Sequence, residues 1–176
     1  MPDTAMPDTG LPQTAPPTTP INPGVRIGHV HLKVSNLDRA LRFWRDALGF
    51  EVQQQRPQAA FLSAGGYHHH IGLNTWDSEG GPPAPRHAAG LYHVALVYPD
   101  RKALANALKR LLQHGVQITG ASHHGVSDAL YLNDPDGNGV ELYIDLPEEV
   151  WPRTPDGQLN MSTRRLDVMA LLAEAD

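Results

Sequence analysis

The chain has 176 residues, a formal net charge of −5, ten histidines and no cysteine. That length fits one ordinary domain, and the missing cysteines exclude a disulfide scaffold and any thiolate-held metal or iron–sulfur site. No apolar run approaches the ~18 residues of a spanning helix, and a mildly acidic chain without a Lys/Arg run lacks the cationic footprint that nucleic acid requires.

Neither a membrane nor nucleic acid is therefore an expected partner. The first residues carry Pro and Asp rather than a basic and then apolar leader, so a cytoplasmic protein is the expectation. Residues 1–24 repeat Met-Pro-Asp-Thr and then gather Pro and Thr. Proline removes backbone donors, and little here can be buried, so this segment reads as a disordered tail.

From Val25 to about residue 149 the sequence reads as one module built from a weak internal repeat. Gly28–Val52 and Tyr92–Ile118 align on His29 and His93, each followed by Val, any residue and Leu. Each copy, over about 25–75 and 90–146, starts with an alternating strand. A helix follows, opened by Asn36 or Asp100 and closed by Gly49 or Gly115. The apolar positions Leu37, Leu41, Trp44 and Leu48 recur at helical spacing, which makes Trp44 a core residue. Three short strands complete each copy, near 50–55, 60–64 and 68–74, then near 116–120, 128–132 and 139–145. The expected fold is α+β: two tandem βαβββ units forming one curved-sheet module. Asp77–Gly90 is a Gly/Pro loop between them. Residues 150–176 read as a tail with a short helix from Asp167.

Strand alternation assigns faces. His29, His31 and Lys33 share one face of the first strand, and Val30, Leu32 and Val34 share the other. In the second copy His93, Ala95 and Val97 oppose Val94 and Leu96. On the last strand Glu141 and Tyr143 oppose Val140, Leu142 and Ile144. If the aliphatic faces pack on the helices, His29, His93 and Glu141 line the concave side. Two imidazoles and one carboxylate are the set that holds Fe(II) or Mn(II) with open positions on one side. His87 and His114 are assigned to the surface.

These residues resemble the vicinal oxygen chelate superfamily, which includes glyoxalases, bleomycin and fosfomycin resistance proteins and extradiol ring-cleaving dioxygenases. Gly28-His29-Val30 and the helix ending Leu48-Gly49-Phe50 look like its opening strand and helix. Leu91-Tyr92-His93-Val94 looks like its metal strand, and Leu130 through Glu141 resembles the extradiol closing motif. The histidine run Tyr67–Trp76 is similar to the catechol 2,3-dioxygenase branch. That resemblance implies a metal at His29, His93 and Glu141, with His69 as the nearby base. Tyr131 and His124 would hydrogen-bond the substrate. His31, His70 and Trp76 would line its pocket. Facing is uncertain by one residue among His68, His69 and His70, because one step flips a side chain to the other face.

The implied function is cleavage of a catechol-like vicinal diol with O₂, in aromatic catabolism, at Fe(II) or alternatively Mn(II). A single module either acts alone or pairs as a homodimer. Two rivals share the fold: a glyoxalase-type isomerase or lyase, and a resistance-type binding protein. The first uses a fourth ligand, usually Glu, on the last strand of the first copy, where this chain has His68–Gly72. The second lacks metal ligands altogether.

Overall fold

The computed structural model of the chain describes residues 19–85 and 87–176. The tail expected over 1–24 lies outside the described residues as far as residue 18, and residues 19–29 are all exposed. Two βαβββ units follow in order, as the repeat predicts.

The first unit runs β1 (Val30–Lys33), α1 (Leu37–Leu41), a π-helical continuation (Arg42–Ala47), β2 (Glu51–Arg56), β3 (Ala59–Ser63) and β4 (Ile71–Asn74). The second runs β5 (Val94–Val97), α2 (Arg101–Gln113), β6 (Ile118–His123), β7 (Ser127–Asn133) and β8 (Gly139–Asp145). A 3₁₀ turn (Glu148–Val150), the two-residue β9 (Arg164–Arg165) and α3 (Val168–Leu172) complete the chain. The sheet orders are β1-β4-β3-β2 and β5-β8-β7-β6-β9. In each, the opening strand pairs in parallel with the closing one, and the other repeat pairs are antiparallel. Both sheets even share an irregularity in the ladder between their second and third strands, at Val52/Gln54 and at Ile118/Gly120.

The helix signals work as the residue chemistry requires. Asn36 accepts from the Arg39 N–H at 2.8 Å, and Asp100 accepts from the Ala103 N–H at 2.7 Å; each satisfies one of the unpaired first-turn donors. Gly49 and Gly115, at φ 88° and 71°, turn the chain out of the helices through backbone that other residues resist. The π stretch is a departure from the sequence reading. There the Leu48 N–H reaches back five residues to the Phe43 carbonyl at 2.9 Å. Phe43, Trp44, Ala47 and Leu48 all become buried, so the apolar face is broader than a 3.6-residue repeat gives.

One core spans both units. Leu37, Leu41 and Trp44 from the first helix join Leu104, Leu108 and Leu111 from α2, backed by Leu73, Leu130 and Leu142 from the sheets. Trp44 is 0% exposed, as a core residue should be. Polar bridges tie the same seam. Ser35 Oγ donates to Asp136 Oδ1 at 2.6 Å, and the Arg39 guanidinium meets the same oxygen at 2.6 Å. The Arg110 guanidinium on α2 donates to the Ala47 and Leu48 carbonyls, capping the end of the first helix.

Residues 150–176 do more than trail. β9 pairs with β6, Asp167 caps α3 by accepting from the Met169 and Ala170 N–H groups, and Leu171 is fully buried. Among the described residues, no helix is long and apolar enough to cross a membrane.

Candidate metal and substrate site

The sheets leave one face open, and its composition follows from the alternation. Leu32 and Val34 are buried while His31 and Lys33 are exposed; Val140, Leu142 and Ile144 are buried while Glu141 and Tyr143 are only half-buried. His29 and His93 each stand one residue before their strands rather than inside them.

In the second unit the open face carries a connected polar row. Register places Ala95, Glu141, Tyr131 and Gly120 side by side across β5, β8, β7 and β6. Glu141 is held from two sides. Its Oε2 lies 2.9 Å from His93 Nε2, and its Oε1 accepts from the Tyr131 hydroxyl at 3.0 Å. The hydroxyl oxygen in turn sits 2.7 Å from His124 Nε2. Tyr131 has one proton to give. With that proton on Glu141, His124 donates from Nε2, while its Nδ1 lies 3.2 Å from the Ser162 carbonyl oxygen and 3.3 Å from Thr163 Oγ1. Burial, reinforced by the Glu141 carboxylate, pushes the Tyr131 phenol up to about 12.

One glycine makes this row possible. A Cβ on Gly139 would lie 2.1 Å from the Tyr92 carbonyl oxygen, so only Gly lets β5 approach β8 closely enough to bring His93 to Glu141. The turn before Gly139 is fixed by Asp134, whose carboxylate accepts from the Asp136 and Asn138 N–H groups and from Asn138 Nδ2 at 2.8–2.9 Å. That is the physical content of the Asp-Pro-Asp-Gly-Asn-Gly motif: it anchors the hairpin that presents Glu141.

In the first unit the corresponding row is His31, Gly72, Phe61 and Gln54. Gly72 takes the position that Glu141 holds in the second unit, and the His31 ring lies over it, 2.9 Å from where a Cβ would be. His31 packs on Trp76 at 5.5 Å and on Phe61 at 5.9 Å between ring centres. His69 packs on His29 at 4.4 Å and on Phe61 at 5.2 Å, and its Nδ1 lies 2.8 Å from His68 Nδ1. Partial burial, then the neighbouring imidazole of His29, lowers the pKa of His31 and of His69. Both rings are therefore neutral at pH 7, with a lone pair able to take a proton. His70 sits apart: its ring accepts from the Ala64 N–H at 3.3 Å and lies on Tyr67 at 4.8 Å.

The expected residues thus fall into two groups. His93, Glu141, Tyr131 and His124 are joined in the second unit, and His29, His31, His69 and Trp76 are gathered in the first. Among the described residues, no three His, Asp or Glu side chains come close enough together to hold a metal ion. Phe61 was missed from sequence, since an aromatic in a strand carries no chemical signature. So was the His123 side chain, which pairs with the buried Asp128 at 2.7 Å beside Arg101. His87 and His114 are exposed, as expected.

Comparisons with known proteins agree with this architecture. The profile of the Glyoxalase/Bleomycin resistance protein/Dioxygenase superfamily matches residues 26–142. The chain is 41% identical over 157 residues to a catechol-2,3-dioxygenase of Bacillus subtilis (strain 168), covering 89% of this chain and 54% of that protein. It is 33% identical over 127 residues to biphenyl-2,3-diol 1,2-dioxygenase 3 of Rhodococcus globerulus, covering 70% of this chain and 67% of that one. The chain thus spans about half the length of the Bacillus relative. A crystal structure of a glyoxalase/dioxygenase from Nostoc punctiforme superimposes with a TM-score of 0.59 at 19% identity, over 75% of this chain and all of that one, and shares the fold. With the paired βαβββ units, the matched profile and these identities in place, the chain belongs to the Glyoxalase/Bleomycin resistance protein/Dioxygenase superfamily.

Proposed function

We propose that this protein is an extradiol-type ring-cleaving dioxygenase that opens a catechol-like vicinal diol with O₂. The observation that carries the reading is the His93–Glu141–Tyr131–His124 row, laid out on an open sheet face by the motif that anchors β8. Similarity to two diol dioxygenases supports it. The assigned ligands are His93 and Glu141 from one sheet and His29 from the other, for Fe(II) or alternatively Mn(II). A bound divalent ion would supply positive charge that favours the ionised diol and brings diol and dioxygen together.

The chain's own residues then have separable tasks. Tyr131, fixed by Glu141 and His124 with its proton on Glu141, presents its hydroxyl oxygen to accept from a diol hydroxyl. His69 is neutral and takes a hydroxyl proton on its free ring nitrogen. His31, Phe61 and Trp76 form an aromatic wall against which a flat ring stacks. His70, tied to Ala64, sets the turn into β4 and reaches the substrate only at the pocket's margin. In the overall change one ring C–C bond beside the diol breaks, and both oxygen atoms of O₂ enter the product.

The glyoxalase-type rival needs a carboxylate where this sheet has Gly72, directly opposite His31. The binding-protein rival leaves the Glu141 row without a purpose. The test is anaerobic Fe(II) loading, then exposure to catechols in air, following the absorbance of ring-opened product. Product is expected from the wild-type protein. Glu141→Ala is expected to lose more than about 100-fold, beyond the loss typical of an outer-shell partner. Turnover of a hemithioacetal with no diol cleaved would replace this reading with the isomerase.

A further inference from the structure

We infer that the face of the second sheet opposite the Glu141 row carries a separate binding site, a cavity that takes a small carboxylate bearing a hydroxyl. The inference goes beyond the dioxygenase reading and depends on no metal. Strand register, a cavity shaped by the chain itself and a set of uncommitted polar groups carry it.

His123 ends β6 and His124 follows it, so the two rings leave opposite faces of the chain. His124 reaches Tyr131 on the open face. His123 stands in register with Asp128, and Asp128 with the buried Ile144, which places all three on the face that the helices cover. Arg164 on β9 is the partner of His123 on its other side and shares that face. There, between the end of β6 and the chain that leaves β8, lies a cavity of about 280 Å³. Leu146, Val150 and Pro152 form its apolar wall, and His123, Ser162 and Arg164 form its polar end.

The walls are fastened to one another, so the shape is set by the chain itself. The Leu146 N–H donates to the Val126 carbonyl, Trp151 Nε1 to the Leu146 carbonyl and the Asn160 N–H to the Pro152 carbonyl, each at 2.8 Å. Gly125, at φ 80°, lets Pro152 close in, since a Cβ there would lie 2.9 Å from Pro152 Cγ. A preformed cavity spares a ligand the cost of ordering its site. Its volume lies just below the ~300 Å³ at which drug-sized sites begin, which suits a single ring.

The polar end says what the ligand must offer. Asp128 is buried, meets the Arg101 guanidinium and takes the Nδ1 proton of His123 at 2.7 Å. The neutral imidazole then accepts at Nε2. Arg164 beside it pairs with no carboxylate among the described residues: Asp128 is engaged by Arg101 and His123, and Glu148 by Arg153 at 3.4 Å. A guanidinium in that position grips a carboxylate through its fork of N–H groups. One ligand satisfies every group. Its carboxylate lies on Arg164, its hydroxyl donates to His123 Nε2, and its flat apolar body lies against Leu146, Val150 and Pro152. An uncharged diol leaves Arg164 unmatched, and inorganic phosphate leaves the apolar wall bare.

The test titrates meta-hydroxybenzoate into the full, metal-free chain and follows the backbone amides by NMR. Saturable shifts at Gly125, Val150, Ser162 and Arg164 are expected, with a Kd of about 1 mM or tighter. Arg164→Gln is expected to weaken binding about 10-fold, the loss of one charge-assisted pair. Arg165→Gln is the control, because Arg165 is in register with Ser122 and leaves the other face, and it should change nothing. Both arginines are exposed, so neither variant disturbs the core. Benzoate, which lacks the hydroxyl, should bind about 5-fold more weakly to the wild-type chain, and His123→Phe should erase that difference. The inference is overturned by shifts confined to the open face around Tyr131, by equal losses from the two arginine variants, by equal affinity of the wild-type chain for the two acids, or by no saturation at all. None of these outcomes bears on diol cleavage, which is read separately from ring-opened product.

Discussion

The two halves of this molecule are nearly one design used twice, and the instructive part is a single row of residues. In the first half the row across the open face reads His31, Gly72, Phe61; in the second it reads Ala95, Glu141, Tyr131. Backbone pairing is the same, down to the matching ladder irregularity. What differs is which position carries the reactive group. One half supplies imidazoles and aromatic surface, and the other supplies a carboxylate bonded to a phenol. A duplicated scaffold therefore does not duplicate the chemistry. It places different side chains at equivalent positions of the two open faces.

The sharpest break in that comparison comes from the glycines. At Gly139 an added Cβ meets the backbone carbonyl of Tyr92, which cannot rotate away. At Gly72 it meets the His31 ring, which can. Gly139→Ala is expected to cost about 3 kcal/mol or more in urea unfolding and to part His93 from Glu141, at the upper end of overpacking effects. Gly72→Ala is expected to cost less than about 1.5 kcal/mol and to leave the Glu141 row intact. Equal costs would mean that the close approach of β5 to β8 is not what fixes the second half.

A smaller effect sharpens how the halves are held. Asp136 is buried and accepts from both Ser35 and Arg39 across the seam. Asp136→Ala removes the acceptor of both, yet Arg39 still donates to Ser35 Oγ at 2.7 Å, its side chain is 43% exposed and water can replace part of the loss. About 1 kcal/mol of destabilisation is expected, with a double-mutant cycle against Arg39→Ala returning most of it as coupling. Additive losses would show that the apolar seam alone joins the halves.

Much of this is legible in the sequence itself. The repeat, the capping residues Asn36 and Asp100, and the closing glycines Gly49 and Gly115 are local signals whose meaning depends on a few neighbouring atoms. Strand alternation likewise assigned His31 and Glu141 to open faces, because a pleat has only two sides. What the sequence could not carry is distance between units. The sequence reading brought His29, His93 and Glu141 to one concave side around one metal, yet strand alternation carries only the kind of surface and not the place. The packing of the first helix on α2 decides that, and such packing is a property of the whole core. The π-helical stretch was hidden for a related reason. Trp44 and Leu48 fit an ordinary helical stripe, and only the burial of Phe43 and Ala47 beside them shows the extra width.

The last difference between the halves is one of ionisation. Phe61 has no proton to lose, whereas Tyr131, at the same place in its row, is a phenol held to about 12 first by burial and then by the Glu141 carboxylate. Its folded value lies above the ordinary value of about 10, so the folded protein keeps this proton after the unfolded chain has lost it. The stabilising contribution is complete below pH ~10 and is lost as pH rises through about 12. Burial raises Tyr98 and Tyr143 as well, so the Tyr131 step is read as the difference in phenolate absorbance between the metal-free wild-type and Tyr131→Phe proteins, and it should come late, near pH 12. Glu141→Gln keeps the shape but removes the charge, so it should move the step to lower pH while leaving the part due to burial. A difference step near the ordinary phenol value of about 10 would mean that Tyr131 is not held by its row, and that the open face of the second half is wetter than its hydrogen bonds imply.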